Sequence, residues 1–310
     1  MGRLHKNFLL SAPKYDRITP RDWIAGPPLG RGKALKAESL EGADRMELKG
    51  EFLMMKRIDL NCDLGESFGA YTIGMDEAVA PHVTSVNAAC GWHGGDPMVM
   101  ERTTALAKRH GAALGAHPGF PDLLGFGRRE IKVSPDEVYA YVKYQIGALY
   151  AFARAQGLEL QHMKAHGALY NMAGKDIRLA QALCRACRDF DSQLMILALA
   201  GSKMEEAAAE MGVPFAREFF ADRAYAADGS LAPRSLPGAV IHDTDQALAR
   251  VMQMIKEGTA DTIDGGKLSV RCDSVCVHGD NESAVDFVVS IRKKLAEEGV
   301  ECLSFGAFAR

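Results

Sequence analysis

The 310-residue sequence has no apolar segment near the roughly 18 residues that a membrane-spanning helix needs, so no membrane span is predicted. It also has no excess of basic residues. Its 37 lysines and arginines against 40 aspartates and glutamates give a net charge of −3, which argues against a nucleic-acid-binding face. The remaining composition is that of an ordinary globular protein, with 47% hydrophobic residues, enough for one large core.

Complete nucleotide-binding loops are also missing. The segment "GPPLGRGK" imitates a phosphate-binding loop, but five residues separate Gly26 from Gly32 where four are needed. Ala34 stands where such a loop has Ser or Thr. No G-x-G-x-x-G follows the first predicted strand, which argues against a dinucleotide-binding fold.

Cysteine usage indicates a reduced protein. The seven cysteines are an odd, scattered set, and the pair Cys184-x-x-Cys187 falls within a helical pattern without a second pair. We interpret that pair as two helix residues in preference to a zinc or redox site. The first residues also lack the continuous apolar segment of a secretory signal peptide. A cytoplasmic location is therefore expected.

The chain divides into two regions of different character. Residues 1–53 show no regular hydrophobic period and carry Pro, Gly and positive charge, and Met54 and Met55 stand just before the first strong strand. We predict that 1–53 is an N-terminal extension, either flexible or an incorrectly assigned start. Residues 54–310 are expected to form a single catalytic domain, so a chain that starts at Met54 should keep its fold and activity.

From residue 57 onward, predicted strands and helices alternate. The predicted strands are "IDLNCDLG", "HVTSVNAAC", "AALGAHPG", "LQHMKAHG", "LMILALAG", "VPFAREFFAD", "SVCVHGD" and "VECLSFGAF". Helix starts are indicated by Asp96 before Pro97, and by capping boxes at Ser134/Glu137 and Ser202/Glu205. Seven or eight such units in about 250 residues predict an α/β fold, a (β/α) barrel of mostly parallel strands. A doubly wound sheet is the alternative.

Polar residues gather where these strands end. They are Asn61, Asp63 and Glu66 after the first strand, Asn87 and His93 after the second, His117 after the third, Lys164 and His166 after the fourth, Glu218, Asp222 and Arg223 after the sixth, and His278 after the seventh. Because the carboxyl ends of barrel strands converge on one face, we predict that these residues line a pocket. Any single histidine can equally satisfy backbone groups at the rim, and Asp63 can be a simple turn cap. Arg128 and Arg129 form either a solvated loop pair or a carboxylate-binding pair.

Eight motifs carry a resemblance to a known family. "IDLNCDLGESFG", "NAACGWHGGDP", "GAHPGFPD", "GFGRR", "KAHGALYN", "EFFADRAY", "PRSLPGAVI" and "VCVHGD" resemble the LamB/YcsF family, in unbroken order over about residues 57–308. The sequence departs from the family beside two histidines, in "GWHGGD" and "MKAHG". The resemblance implies a glycoside hydrolase/deacetylase-like barrel. It also implies ATP-dependent opening of 5-oxoproline to L-glutamate, with ATP as co-substrate of a complex with the 5-oxoprolinase subunits B and C.

The expected chemistry assigns roles to the polar residues. Phosphorylation of the lactam oxygen by ATP would make the ring carbon electrophilic, and a positioned base would then activate water. The predicted catalytic residues are Asp63, Glu66, His93, His117 and His166, with Asp63, Glu66 or a histidine as the base. The predicted substrate-binding residues are Asn61, Asn87, Arg128, Lys164, Arg223 and His278.

Two other functions stay open at this point. One is a stand-alone metal-dependent hydrolase or deacetylase, with Asp63, His93 and His117 as ligands of a divalent metal. The other is a non-catalytic protein that only scaffolds its partners. Bound metal would favour the first, and full activity of the complex after pocket substitutions would favour the second.

Overall fold

The computed structural model describes residues 57–278 and 282–309, so the predicted extension over 1–53 lies outside the described residues. Seven parallel strands form a closed ring in the order β1-β2-β3-β4-β5-β6-β9, and β9 pairs with β1 to close it. These strands are β1 (Arg57–Leu64), β2 (Ser85–Ala89), β3 (Ala113–His117), β4 (Leu160–Met163), β5 (Met195–Leu199), β6 (Phe215–Phe220) and β9 (Ser274–Val277). The predicted (β/α) barrel is confirmed.

Helices follow most of the barrel strands. They are α1 (Asp76–Val79), α2 (Pro97–His110), α3 (Pro135–Ala155), α4 (Gly167–Ala173), α5 (Ile177–Phe190), α6 (Lys203–Met211), α7 (Thr244–Glu257) and α8 (Glu282–Glu297). None of the helices in the described ranges is long and apolar enough to cross a membrane.

The helix-start predictions have mixed outcomes. Asp96 caps α2 by accepting from two backbone N–H groups, and Ser134 forms the predicted reciprocal capping box on α3. The capping box predicted for α6 is wrong. Ser202 does accept from the N–H of Met204, but the Glu205 carboxylate accepts from the backbone N–H of Gly201 instead of that of Ser202.

Three short strands lie outside the ring. β7 (Thr259–Asp261) and β8 (Lys267–Ser269) form an antiparallel pair, and β10 (Glu301–Cys302) adds to the start of β1. The β7–β8 pair was not predicted, because both strands are short and polar in sequence.

The barrel interior below the site is polar. Along β1, Asp59 and Asn61 alternate with Ile58 and Leu60, and all four are fully buried. Because successive strand side chains point to opposite faces, the polar set faces into the ring and the apolar set faces the helices. Asp59 confirms this direction, since its Oδ1 accepts a hydrogen bond from Ser85 Oγ of β2 at 2.6 Å. This packed polar layer supports the side chains at the carboxyl ends of the strands.

Candidate active site at the carboxyl end of the barrel

Asp63 lies at the end of β1, and donors from two other strands or their ends fix its carboxylate. Oδ1 accepts hydrogen bonds from Asn87 Nδ2 at 2.8 Å and from Lys164 Nζ at 3.0 Å. Asn87 also donates to Asn61 Oδ1 at 2.8 Å. Both asparagines are fully buried, whereas Asp63 is 14% exposed. The buried asparagines therefore help to position the Asp63 carboxylate. Their contact with substrate stays a prediction.

Lys164 supplies a positive charge inside this network. Its ammonium lies 3.0 Å from Asp63 and 2.7 Å from Glu218 Oε1, and its side chain is only 2% exposed. Burial alone would lower the pKa of Lys164, but Asp63, Cys276 and Glu218 outweigh burial and hold that pKa well above its usual range. Burial would also raise the pKa of Asp63. The charges of His117 and Lys164 outweigh the effect of burial, so the pKa of Asp63 is lowered. Lys164 is thus a charged ammonium between two carboxylates.

Three of the predicted histidines form one compact group with Glu66. The rings of His93 and His166 stack with centroids 3.6 Å apart and planes at 1°, and His117 packs edge-on against His166 at 4.8 Å. Glu66 Oε1 lies 3.4 Å from His93 Nε2 and 3.5 Å from His166 Nδ1. Asp63 Oδ2 joins the same group, 3.3 Å from His117 Nε2. The structure therefore brings all five predicted catalytic residues together.

Backbone carbonyl groups anchor two of these rings. His117 Nδ1 lies 2.8 Å from the carbonyl oxygen of Lys164, and His166 Nε2 lies 2.8 Å from that of Phe126. The opposite ring nitrogens, His117 Nε2 and His166 Nδ1, face each other at 2.9 Å. Burial lowers the pKa of His93 and of His166, so both rings favour the neutral form. Burial likewise raises the pKa of Glu66.

Glycines let the surrounding loops approach the histidines. A Cβ on Gly127 would lie 2.8 Å from both His93 Cβ and His166 Cδ2, and Gly127 also has a φ of +63° that side chains disfavour. A Cβ on Gly119 would lie 2.5 Å from His93 Nδ1. The absence of side chains at these two positions is therefore a condition for the stacked arrangement.

Two predicted residues lie at the rim of this group. Arg128 is exposed, and its guanidinium lies 4.9 Å from the ring centroid of Phe126, which packs edge-on against His166. His278 follows β9, the strand that pairs with β1, and its Nδ1 lies 2.6 Å from Asp222 Oδ2. Burial would raise the pKa of Asp222, but His278 outweighs burial and lowers it.

Arg223 holds a loop. Its guanidinium donates to the carbonyl oxygens of Ala232 at 2.6 Å and of Ala239 at 3.3 Å, and so holds the segment between β6 and α7. Its predicted contact with substrate stays a prediction. A surface cavity of about 650 Å³ lies between this segment and α7, and none of the predicted site residues lines it.

Comparison with known proteins covers the part of the chain that forms the barrel. The family model described as the LamB/YcsF family matches residues 58–310. The chain belongs to the LamB/YcsF family. It is 54% identical over 256 residues to the A subunit of 5-oxoprolinase from Alkaliphilus metalliredigens, covering 83% of this chain and 100% of that protein. It is 53% identical to the A subunit of 5-oxoprolinase from Pyrococcus furiosus, covering 82% of this chain and 100% of that protein.

A solved member of similar sequence has the same fold. The crystal structure of a lactam utilization protein from Thermus thermophilus superposes with a TM-score of 0.76 at 47% identity, covering 80% of this chain and 99% of that one. The chain and this solved protein therefore share one fold.

The site of this LamB/YcsF chain also contains residues that the sequence did not single out. His162 lies within β4, and its Nε2 lies 2.6 Å from Asn87 Oδ1. Burial lowers the pKa of His162 to about 3, so the ring is neutral and donates through Nε2–H. Tyr170 donates its hydroxyl to Glu218 Oε2 at 2.7 Å. The signal for His162 is its place two residues before Lys164, which puts both side chains on the inner face of the strand.

Two groups in the described ranges have the composition of metal ligands. One is Glu66, His93, His117 and His166, and the other is Asp63, Cys276 and His278; the ligand atoms within each group all lie within 4.8 Å of one another. The second group already contains a cation, since Lys164 Nζ lies 3.0 Å from Asp63 and 3.3 Å from Cys276 Sγ. The first group is the candidate metal centre of the two.

Proposed function

We propose that this LamB/YcsF chain is the A subunit of a 5-oxoprolinase and that its barrel hydrolyses the cyclic amide of 5-oxoproline to give L-glutamate. The observation that carries the proposal is the match to curated relatives with that name at 52–54% identity, which extends over 98–100% of their lengths. The name of the Thermus relative, a lactam utilization protein, refers to the same kind of cyclic amide.

The arrangement of charges supports amide hydrolysis. Water attack on the ring carbonyl carbon needs a group that takes the water proton, and cleavage of the C–N bond needs a proton on the ring nitrogen. We assign the first task to Asp63, because it stays ionised and is partly exposed at the barrel end. The proton that Asp63 takes from water is then passed to the ring nitrogen as the C–N bond breaks. Lys164, 3.0 Å from Asp63, helps to keep that carboxylate ionised.

The rim offers groups for the substrate's own carboxylate. The Arg128 guanidinium lies over Phe126, next to the histidine group, and guanidinium groups bind carboxylates with two parallel hydrogen bonds. We assign the carboxylate of 5-oxoproline to Arg128, with His278 beside Asp63.

ATP and partner subunits complete the proposal. An unactivated lactam is resonance-stabilised, and phosphorylation of its oxygen makes the ring carbon electrophilic. Water addition and C–N cleavage then leave an acyl phosphate, and its hydrolysis releases inorganic phosphate and L-glutamate. Since the sequence lacks a complete phosphate loop, we assign the phosphoryl transfer to partner subunits, B and C, and the ring opening to this chain. The relatives' names describe one lettered component of a 5-oxoprolinase, which supports a complex of this kind.

The test is glutamate release by the complex assembled from this chain and subunits B and C, with ATP. The Asp63→Asn complex is expected to lose about 100-fold or more in rate, because it loses a general base. Asp136→Asn is the matched control, since that carboxylate is 87% exposed. A rate within about threefold of wild type would remove Asp63 from the mechanism. Glutamate formation by this chain alone, without ATP, would instead favour a stand-alone hydrolase.

A further inference from the structure

Two histidine rings present lone pairs to each other. A carbonyl oxygen only accepts hydrogen bonds, so His117 Nδ1 and His166 Nε2 must carry the protons that they donate to the backbone. When each ring carries only that one proton, the opposite nitrogens are bare. These two bare nitrogens lie 2.9 Å apart, a repulsive contact unless something positive lies between or beside them.

Two further acceptors point to the same place. The ring of His93 is fully buried, and neither of its nitrogens has a hydrogen-bond partner within the described ranges. Glu66 Oε1 is buried and likewise has none there. That oxygen lies 3.4 Å from His93 Nε2 and 3.5 Å from His166 Nδ1. Leaving several buried acceptors unsatisfied is costly, so the site calls for a positive occupant.

One proton does not account for the group. A proton shared by His117 and His166 would leave His93 Nε2 and Glu66 Oε1 unsatisfied. The one N–H of a neutral His93 ring, if placed on Nε2, would face Glu66 Oε1 at 3.4 Å, which is longer than a normal hydrogen bond. A single divalent cation satisfies all four acceptors together.

The spacings fit a transition metal. Bonds of about 2.0–2.1 Å put neighbouring ligand atoms about 2.9 Å apart in an octahedron and about 3.4 Å apart in a tetrahedron. Three of the six ligand-atom pairs, at 2.9, 3.4 and 3.5 Å, lie close to these values. Metal-binding histidines commonly donate their other ring N–H to a backbone carbonyl, as His117 and His166 do here.

We propose that Glu66, His93, His117 and His166 bind one divalent transition-metal ion, a set of three imidazoles and one carboxylate that suits Zn²⁺ or Co²⁺. This set differs from the ligands Asp63, His93 and His117 considered from the sequence, because Asp63 Oδ1 is occupied by Lys164 and Asn87. The inference stands on the geometry alone and does not rest on the proposed 5-oxoprolinase activity.

The test measures metal binding by the full chain, without partners or substrate. After chelator treatment and dialysis, Zn²⁺ is titrated by calorimetry, and Co²⁺ is titrated by its visible absorption. We expect about one ion per chain, with a dissociation constant in the micromolar range or below, and a melting temperature that rises with added Zn²⁺. Glu66→Gln and His93→Gln should each weaken binding by about tenfold or more.

His110→Ala is the control for adventitious binding, because His110 is exposed at the end of α2 and should leave the titration unchanged. Circular dichroism of each metal-free variant checks that it is folded. If His93→Gln fails to fold, Glu66→Gln alone decides. The inference is overturned if the folded wild type takes up no stoichiometric ion at about 100 μM Zn²⁺, or if a folded ligand variant binds as tightly as wild type.

Discussion

Replacing Lys164 by methionine tests the electrostatics of the barrel interior most directly. In the folded protein the ammonium pairs with Glu218 at 2.7 Å and with Asp63 at 3.0 Å, and the side chains of Lys164, Glu218 and Asp63 are 2%, 0% and 14% exposed. Methionine keeps much of the length and apolar contact of the lysine stem but removes the charge. The two carboxylates would then share a buried space without their cation.

The expected loss follows from that burial. Removing one partner of a buried ion pair typically costs about 3–5 kcal/mol, because the remaining charge stays desolvated. In a domain of about this size, 1 kcal/mol corresponds to about 2–4 °C in melting temperature, so Lys164→Met should melt about 6–20 °C lower. Thermal melts and urea denaturation followed by circular dichroism measure the change.

Two further variants make this prediction refutable. Lys164→Met combined with Glu218→Gln should recover at least about 1 kcal/mol of the loss, since one of the two uncompensated charges is gone. Lys256→Met is the matched control at an exposed pair, 2.8 Å from Glu298 with 45% and 23% exposure, and should shift the melting temperature by about 2 °C or less. A Lys164→Met protein that melts within about 3 °C of wild type would refute the reasoning, as would a double variant less stable than the single one.

Three other outcomes are expected. Burial raises the pKa of Asp59 from 3.8 to about 6, so the folded state holds this proton more tightly than the unfolded state; the resulting stabilisation is full below about pH 4 and is lost as the pH rises through 6. The wild-type free energy of unfolding, measured by urea denaturation, should therefore fall between pH 4 and pH 7.5, and Asp59→Asn should remove up to about 3 kcal/mol of that fall. A variant that shows the same fall as wild type would contradict this. Gly115→Ala should destabilise the protein by about 1–3 kcal/mol, because the new Cβ would clash with the His162 ring. Gly147→Ala has open space around its Cβ and should stabilise α3 by about 0.5–1 kcal/mol. Equal shifts in melting temperature for the two variants would contradict this. A chain that starts at Met54 should melt within about 5 °C of the full chain, and a larger drop would show that residues 1–53 contribute to stability.

The sequence predicted the fold well because two local signals agree. Apolar strand segments alternate with capped helices, and the parallel arrangement follows from that alternation. The same pattern placed Asp63, His93, His117 and His166 at one end of the barrel, since each follows an apolar strand. Local signals were weaker where the chain departs from this pattern, as in the β7–β8 pair.

Contacts between residues far apart in sequence were beyond this reasoning. The bare nitrogen of His117 depends on a carbonyl 47 residues away, and that of His166 depends on one 40 residues away. For the same reason, the sequence could not show that Asp63 Oδ1 accepts from Lys164 while Oδ2 lies 3.3 Å from His117 Nε2. His162 was overlooked because a histidine within a strand gives no sign of which residue accepts its hydrogen bond.

Two neighbouring groups of buried acceptors at the barrel end differ in the cation that balances them. Asp63 and Glu218 are held by Lys164, a cation that the chain itself provides. Glu66 Oε1 and both nitrogens of His93 have no hydrogen-bond partner within the described ranges, and the ligand atoms of Glu66, His93, His117 and His166 lie within 4.8 Å of one another. Asp63 connects the two groups, because one of its oxygens meets Lys164 and the other lies 3.3 Å from His117. A metal ion in the histidine group and the ammonium of Lys164 would therefore act on opposite sides of one carboxylate. Lys164 and His117 already keep Asp63 ionised, and Lys164 and Asn87 fix its orientation, the two properties that the proposed general base requires.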